Sequence, residues 1–366
     1  MRAFAAGIAA ALMVAGASFA GAFSPGTLVV YRVGDGTTNL VSSGSPVFLD
    51  EYTTNGALVQ SIAMPTNAAG RNYPLIASGT ATSEGLLARS VNNRCLVVTG
   101  YGTTTGVASL SGTTAASVPR VVGVVNCNGT TDTTTALKDF ASASNPRSAA
   151  TTDGTNIWVA GGAGGLRYTT KGATNSTSLN SFANLRQVAA FGGQLYASTQ
   201  SGSNLLNTVG AGLPTNAGQA ISALPGFPTN SSPDAFLMAD LTADGTNDTL
   251  YVADEGAGLQ KFTCIAGSWT ATGVVGSGTD SYRGLAGYTA GSATVLFATR
   301  KGGSGSNGGG ELVTITDNSG FNGAFGGTPT VLATAVSKTA FRGVALAPVA
   351  PLAPPAAPNR MILSIR

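Results

Sequence analysis

Arg283-Gly284-Leu285-Ala286-Gly287, and then Leu296-Phe297-Ala298-Thr299 about ten residues later, decides how this chain is read. A polar residue opens a short apolar strand, a turn follows, and a second strand rich in aromatic and β-branched residues comes after it. The same unit occurs elsewhere. Glu84-Gly-Leu-Leu-Ala-Arg89 precedes Cys95-Leu-Val-Val-Thr99, and Arg147-Ser-Ala-Ala150 precedes Ile157-Trp-Val-Ala160. Arg186-Gln-Val-Ala-Ala190 precedes Leu195-Tyr-Ala-Ser198, and Asp234-Ala-Phe-Leu-Met238 precedes Leu250-Tyr-Val-Ala-Asp254. A sixth opening, Phe341-Arg-Gly-Val-Ala-Leu-Ala347, has no second strand after it.

Counted from Gly85, the openings stand at 85, 147, 186, 234, 283 and 342, at intervals of 39 to 62 residues. A four-stranded propeller blade occupies about 40–50 residues, and loops lengthen it. Two more strands fit in each interval, as Glu311-Leu-Val-Thr-Ile-Thr316 and Thr330-Val-Leu-Ala-Thr-Ala335 do after Leu296. The N-terminal region supplies what the last unit lacks. Leu28–Val33, Val47–Tyr52 and Ala57–Ile62 read as three strands, the last two joined through Asn55-Gly56, a strong hairpin turn. Three strands from the start and one from the end complete a blade and remove the free sheet edge. The expectation is an all-β, six-bladed β-propeller of four-stranded antiparallel blades spanning 23–348, with the N-terminal strands pairing with a C-terminal strand. Seven blades, or a two-domain β-sandwich, are the alternatives.

Composition agrees with a packed, turn-rich β protein. Hydrophobic residues make up 43%, only 10% are charged, and the 51 glycines are about twice the usual share. The 19 Lys and Arg are scattered, which argues against nucleic-acid binding. Met1-Arg2, the apolar run 3–17 and Ala20-Gly21-Ala22 read as a signal peptide cleaved before Phe23. The run is shorter than the ~20 residues of a membrane span. A secreted or periplasmic protein follows, with no membrane span, expected as a monomer. Its partner would be an extracellular protein or glycan. Residues 349–366 form a Pro/Ala-rich tail, with Pro351, Pro354, Pro355 and Pro358. Cys95 opens one predicted strand and Cys127 closes its antiparallel neighbour. An oxidising compartment then predicts a Cys95–Cys127 disulfide, leaving Cys264 odd.

Thr27-Leu-Val-Val-Tyr-Arg-Val-Gly-Asp-Gly36, Pro46-Val-Phe-Leu-Asp-Glu-Tyr52, Thr82-Ser-Glu-Gly-Leu-Leu-Ala-Arg-Ser90, Leu96-Val-Val-Thr-Gly-Tyr101, Leu250-Tyr-Val-Ala-Asp254 and Phe341-Arg-Gly-Val-Ala-Leu-Ala-Pro348 together are similar to a group of uncharacterised secreted β-propeller proteins, mainly bacterial. Many of that group carry a PEP-CTERM cell-envelope sorting tail. The resemblance runs from about Thr27 to Pro348. It implies a propeller and brings no activity with it. This sequence has no Pro-Glu-Pro signal near its end, so free secretion is expected.

Two places carry candidate chemistry. Asp240-Leu-Thr-Ala-Asp-Gly-Thr-Asn-Asp248 offers oxygen ligands from Asp240, Thr242, Asp244, Thr246 and Asp248, with Gly245 for a sharp turn. Hard oxygen donors at that spacing suit a structural Ca²⁺, and the loop resembles the calcium loops of integrin-type propeller blades. A plain Asx-rich turn is the other reading. The second place is the set of openings: Glu84, Arg147, Arg186, Asp234, Arg283 and Arg342. Equivalent positions in a propeller form a ring about its axis, here a mixed-charge ring at one channel mouth. It would hold an anionic ligand or, more blandly, bridge the blades by ion pairs.

The chain has no His, which excludes a Ser-His-Asp triad, a His base and His-liganded metals. Asp50-Glu51 and Asp254-Glu255 are the carboxylate pairs left for a hydrolase or lyase. Neighbours on a strand face opposite sides, so neither pair makes a site alone. The Gly161–Gly165 and Gly302–Gly310 runs lack a P-loop ending and read as flexible turns. The functional expectation is a non-catalytic binding or structural propeller, against a carboxylate-dependent extracellular hydrolase or lyase.

Overall fold

A computed structural model describes residues 21–351. The signal-peptide reading, apart from its last two residues, and the tail from 352 onward lie outside the described residues. The chain is an all-β propeller built of four-stranded antiparallel blades. Four blades stand as separate sheets, spanning 146–178, 185–223, 233–275 and 284–334, and in each the strands follow chain order from the channel outward.

The remaining strands join into one ten-stranded sheet rather than two separate ones. In one half of it, Leu28–Val33 pairs with Gly44–Tyr52, which pairs with Leu58–Ala63. The C-terminal Thr339–Leu346 lies on the other side of Leu28–Val33, with Leu28 opposite Leu346. The N-terminal strands therefore close on the C-terminal strand as expected. In the other half, Ala88–Arg89, Cys95–Tyr101, Arg120–Asn126 and Thr131–Leu137 pair in order. The short strand Ile76–Ser78 fuses the halves, bonding to Gly44–Pro46 on one side and Tyr101 on the other. Nothing in the repeat pattern marks this three-residue bridge.

Burial follows position in the blade. Cys95–Tyr101 and Thr249–Asp254 are buried along their whole length, because middle strands are covered on both faces. The outermost strands Leu58–Ala63 and Thr330–Thr334 are mostly exposed. Between neighbouring sheets, apolar side chains interlock: Tyr251, Leu259 and Val275 with Leu285, Leu296 and Val313, and Phe236, Leu250 and Phe262 with Ala189 and Leu206. Each fully buried Leu, Val or Phe contributes about 1.5–3 kcal/mol of transfer free energy. Where Thr339–Leu346 meets the next inner segment, a Cβ on Gly343 would stand 2.4 Å from both the Gly85 carbonyl O and the Leu87 N. Only glycine lets the two backbones approach this closely.

The predicted disulfide is not formed; all three cysteines are free. The register gives the reason. Cys95 lies opposite Asn126, so Cys127 falls one residue beyond. Cys95 packs with Val97 and Val124 on one face of its sheet, whereas Cys127 stands past the end of Arg120–Asn126, in the turn that leads to Thr131–Leu137.

Candidate functional site

The inner strands bring the six predicted openings to one mouth of the channel. Local irregularity aims several of them. Ser148 pairs with Ala160 but Pro146 with Gly161, leaving Arg147 as an extra residue. Arg186-Gln187 face the single residue Ser198, and Asp234-Ala235 face the single residue Ala253. Arg342-Gly343 likewise face Tyr31 alone. These are β-bulges, which bend a strand and re-aim a side chain.

Hydrogen bonds tie one opening to the next. Ala235 N donates to the Arg283 carbonyl, and Leu86 N donates to the Arg147 carbonyl. Ser148 Oγ donates to the Arg186 carbonyl, Ser198 Oγ to that of Asp234, and Thr299 Oγ1 to that of Arg342. The parallel between Ala235 and Leu86 makes Gly85, not Glu84, the counterpart of the arginines. Glu84 reaches the mouth from one residue earlier.

Each charged group has a distinct setting. Glu84 is buried and accepts from Tyr101 Oη at 2.5 Å, Asn145 Nδ2 at 2.6 Å and Ser78 N at 3.0 Å. Burial nevertheless pushes its carboxyl pKa up. Asp234 is 1% exposed, and its Oδ1 lies 3.5 Å from Arg186 Nε. Burial, with Glu255 adding repulsion, outweighs Arg186, Arg283 and Arg147 and raises Asp234 to about 7. Glu255 is burdened by burial too, but its ion pair with Arg283 and contacts with Gln200 and Arg186 hold it below its ordinary value. Arg283 also donates from Nη1 to the Gly302 carbonyl at 2.8 Å. Arg342 donates to the carbonyls of Gly303 and Gly79. Arg147 donates from Nη1 to Asn184 Oδ1 at 2.7 Å and to the Leu185 carbonyl at 2.9 Å. Arg147 and Arg342 are pushed down to about 10, by burial first and then by repulsion from Arg186 and Arg283 respectively. Among the described residues, the buried Nε atoms of Arg147, Arg186 and Arg342 have no hydrogen-bond partner.

Sequence reasoning missed half of this mouth. Tyr101, Gly162, Gln200, Glu255 and Gly302 all lie at or just after the end of the second strand of a repeat, next to the openings. The signal was available, since that strand runs antiparallel to the opening strand and returns to the same mouth. The glycine runs read as flexible turns include close-approach sites. A Cβ on Gly162 would stand 3.2 Å from Arg147 Nη2, and one on Gly302 3.4 Å from Arg342 Nη1. Further along the inner strands lies a cavity of about 340 Å³ with a mixed lining, Leu87, Phe236, Leu285 and Val344 standing beside Arg89 and Gln187.

The carboxylate pairs divide as strand geometry requires. Asp254 accepts from the N–H groups of Ser232, Gly256 and Ala257, closing a turn, while Glu255 faces Arg283. Asp50 pairs with Arg32 at 2.5 Å, and Glu51 accepts from Thr27 Oγ1 and Gln60 Nε2. In the Asp240–Asp248 loop, Asp240 Oδ2 accepts from Gly245 N at 2.8 Å, and Asp244 Oδ1 accepts from Thr246 N at 2.8 Å and Thr246 Oγ1 at 2.5 Å. Asp248 accepts from Leu241 N and Thr242 N. Gly245 has φ +90°, the turn its position predicts. Among the described residues, no three His, Cys, Asp or Glu side chains are grouped to hold a metal ion. No helix among them is long and apolar enough to cross a membrane.

No protein family and no curated protein matches this chain. Among solved structures it is similar to a periplasmic gluconolactonase of Pseudomonas aeruginosa, at 13% identity and a TM-score of 0.42, covering 84% of this chain and 83% of that one. It is also similar to a GH74 enzyme of Niastella koreensis, at 16% identity and a TM-score of 0.45, over 85% of this chain and 46% of that one. A third is the WD40 domain of Toxoplasma gondii coronin, at 10% identity and a TM-score of 0.40, over 73% and 62%. The chain thus spans less than half of the GH74 enzyme's length. These likenesses concern the chain trace and transfer no activity.

Proposed function

We propose that this chain is a secreted, non-catalytic, six-bladed propeller that binds an anionic group of an extracellular partner at its charged channel mouth. The observation that carries the reading is the tethering of every carboxylate found there: Glu84 by Tyr101 and Asn145, Asp234 by Arg186 and Gln200, Glu255 by Arg283. A general acid or base must reach the proton it moves. Asp234, whose pKa of about 7 would suit that work, is 1% exposed and sits behind Arg186.

Six blades are supported by a cyclic order of neighbours. Each inner strand packs against the next, from Ala88–Arg89 through Pro146–Thr151, Leu185–Phe191, Pro233–Ala239 and Gly284–Ala290 to Thr339–Leu346, which returns to Ala88–Arg89. Secretion is supported by the basic start, the apolar run and the small residues before Phe23; an N-terminus at Phe23 in the exported protein is the expected result.

The function is tested on an array of matched acidic and neutral glycans, with hydrolysis of the same glycans followed in parallel. Retention of the acidic members without turnover is expected. Equal retention of neutral members would end the anionic reading. Turnover that disappears in Asp234→Asn would replace the binder with a carboxylate-dependent enzyme.

A further inference from the structure

Resting on that reading of the mouth, we infer that it contains a subsite for a single divalent tetrahedral oxyanion, a sulfate or phosphate group, held on the Nε–Nη2 edge of Arg147 with Arg186 beside it.

Three observations lead there. The first is the charge inventory. Four guanidiniums, Arg147, Arg186, Arg283 and Arg342, converge with three carboxylates, of which only Glu255 is held below its ordinary pKa. Burial raises the other two, Glu84 and Asp234. Buried cations without matching anions are costly, and a bound anion is the simplest compensation.

The second is the pattern of used and unused donors. Arg147 is 8% exposed, and both of its hydrogen bonds leave from Nη1. Its Nε is buried and unpartnered among the described residues, and Nη2 makes neither of these two bonds. The Nε–Nη2 edge is the planar fork which matches two oxygens of a phosphate, sulfate or carboxylate. Arg186 engages Gln200 through Nη2, and its Nε meets Asp234 only at 3.5 Å.

The third is the neighbour of that edge. The residue beside it is Gly162, and a Cβ there would stand 2.3 Å from Ser144 Oγ, 3.2 Å from Arg147 Nη2 and 3.3 Å from its Cζ. Glycine keeps carbon off the guanidinium and leaves the small Ser144 hydroxyl as its neighbour.

Charge at the site is set also by Asp234, which faces Arg186, Arg147, Arg283 and Glu255, with Gln200 alongside. When Asp234 takes up a proton the net positive charge of the mouth rises. Sulfate keeps its charge between pH 6 and 8, so its affinity should increase as pH falls across that range, and Asp234→Asn should remove the dependence.

The test is calorimetric titration of the full mature protein with sodium sulfate, sodium phosphate, and sodium chloride at matched ionic strength. A 6-sulfated disaccharide is titrated beside free sulfate. Saturable sulfate binding is expected, weakened about tenfold in Arg147→Lys, which keeps the charge and loses the fork. Arg186→Lys, which keeps the charge beside the fork, should weaken it as well, and a wild-type unfolding midpoint in each variant guards against loss of fold. Sulfate indistinguishable from chloride, or affinity unchanged in both variants, would overturn the subsite. Tighter binding of the sulfated disaccharide assigns the group to a glycan, and equal binding assigns it to a free ion; both support the subsite. Sulfate binding without retention of acidic glycans on the array would leave the subsite standing and remove the partner proposed for it.

Discussion

Two buried ionic regions of this propeller differ in one respect, the balance of donors and acceptors. Between the blade containing Gly258–Ile265 and the blade containing Glu311–Asp317, Lys261 meets Asp317 at 2.8 Å with both side chains essentially out of solvent. Lys261 Nζ also donates to Ser319 Oγ and to the carbonyls of Gly320 and Gly323. Asp317 accepts in turn from Tyr251 Oη, Ser319 N and Ser319 Oγ. One cation meets one anion, and every remaining donor has an acceptor. At the mouth, four guanidiniums meet Glu255 and two carboxylates, Glu84 and Asp234, that burial makes reluctant to ionise, and among the described residues three Nε–H groups have no hydrogen-bond partner. The clasp is complete within the chain. The mouth leaves donors over.

The sharpest way to break this comparison is to open the clasp. Lys261→Met strands Asp317 in the interior and should cost about 3–5 kcal/mol in urea unfolding, as expected for removing one partner of a buried pair. Lys261→Met with Asp317→Leu should recover most of that loss, because the desolvation penalty leaves with the charges. Burial works against the Asp317 anion, but Lys261, Ser319 and Tyr251 outweigh it and hold its pKa below the ordinary carboxylate value. Its contribution is therefore present above the unfolded-state pKa and lost as pH falls through the lowered folded value. Asp317→Asn should flatten the acid limb of the stability curve. If single and double variants were equally destabilised, the clasp would be a packing feature and not an ionic one.

What the sequence made legible divides along similar lines. The repeat unit was readable because opening and second strand differ in composition, and Thr339–Leu346 pairs with Leu28–Val33 as the missing second strand implied. The convergence of Arg147, Arg186, Asp234, Arg283 and Arg342 was readable from equivalence of position alone. Their partners were not. Gln200 and Glu255 reach the mouth through strand ends that the repeat pattern treats as turns. The bulges at Arg147, Arg186 and Arg342 leave no trace in apolar periodicity, since one inserted residue is hidden in a short strand. The one-residue offset of Cys127 from Cys95 is of the same kind: proximity was legible and register was not. Lys261 gave no signal at all, as its counter-ion lies 56 residues away in another blade.

A smaller effect separates the regions by their response to pH. Asp234 is raised to about 7, well above an unfolded carboxylate at about 3.9. The native state thus holds a proton that the unfolded state has released over this interval. The stabilisation is complete below the unfolded pKa and is lost as pH rises through about 7. The sign is opposite to that of Asp317. Wild-type stability should fall between pH 5 and 8 by about 1–3 kcal/mol, the scale of a buried group left poorly compensated, and Asp234→Asn should abolish the slope. Saturating sulfate should make the slope steeper, since the anion binds best when Asp234 is neutral. A slope that survives Asp234→Asn would move the titrating group elsewhere in the mouth.

The smallest effect is expected at the Asp240–Asp248 loop, which sharpens the comparison from outside the core. Its carboxylates are satisfied like those of the clasp, but by the loop's own N–H and hydroxyl groups, and Asp244 is fully exposed. A cation there would have to displace these hydrogen bonds, and at Asp244 solvent contact as well. Chelator should therefore shift the melting temperature by about a degree or less, and Asp244→Ala should do the same, as for surface changes generally. The argument fails if millimolar calcium raises the melting temperature by several degrees and Asp244→Ala removes the rise. The spacing of oxygen donors at Asp240, Thr242, Asp244, Thr246 and Asp248 would then outweigh the internal hydrogen bonding, and self-satisfaction within a loop would be no guide to whether an ion is needed there.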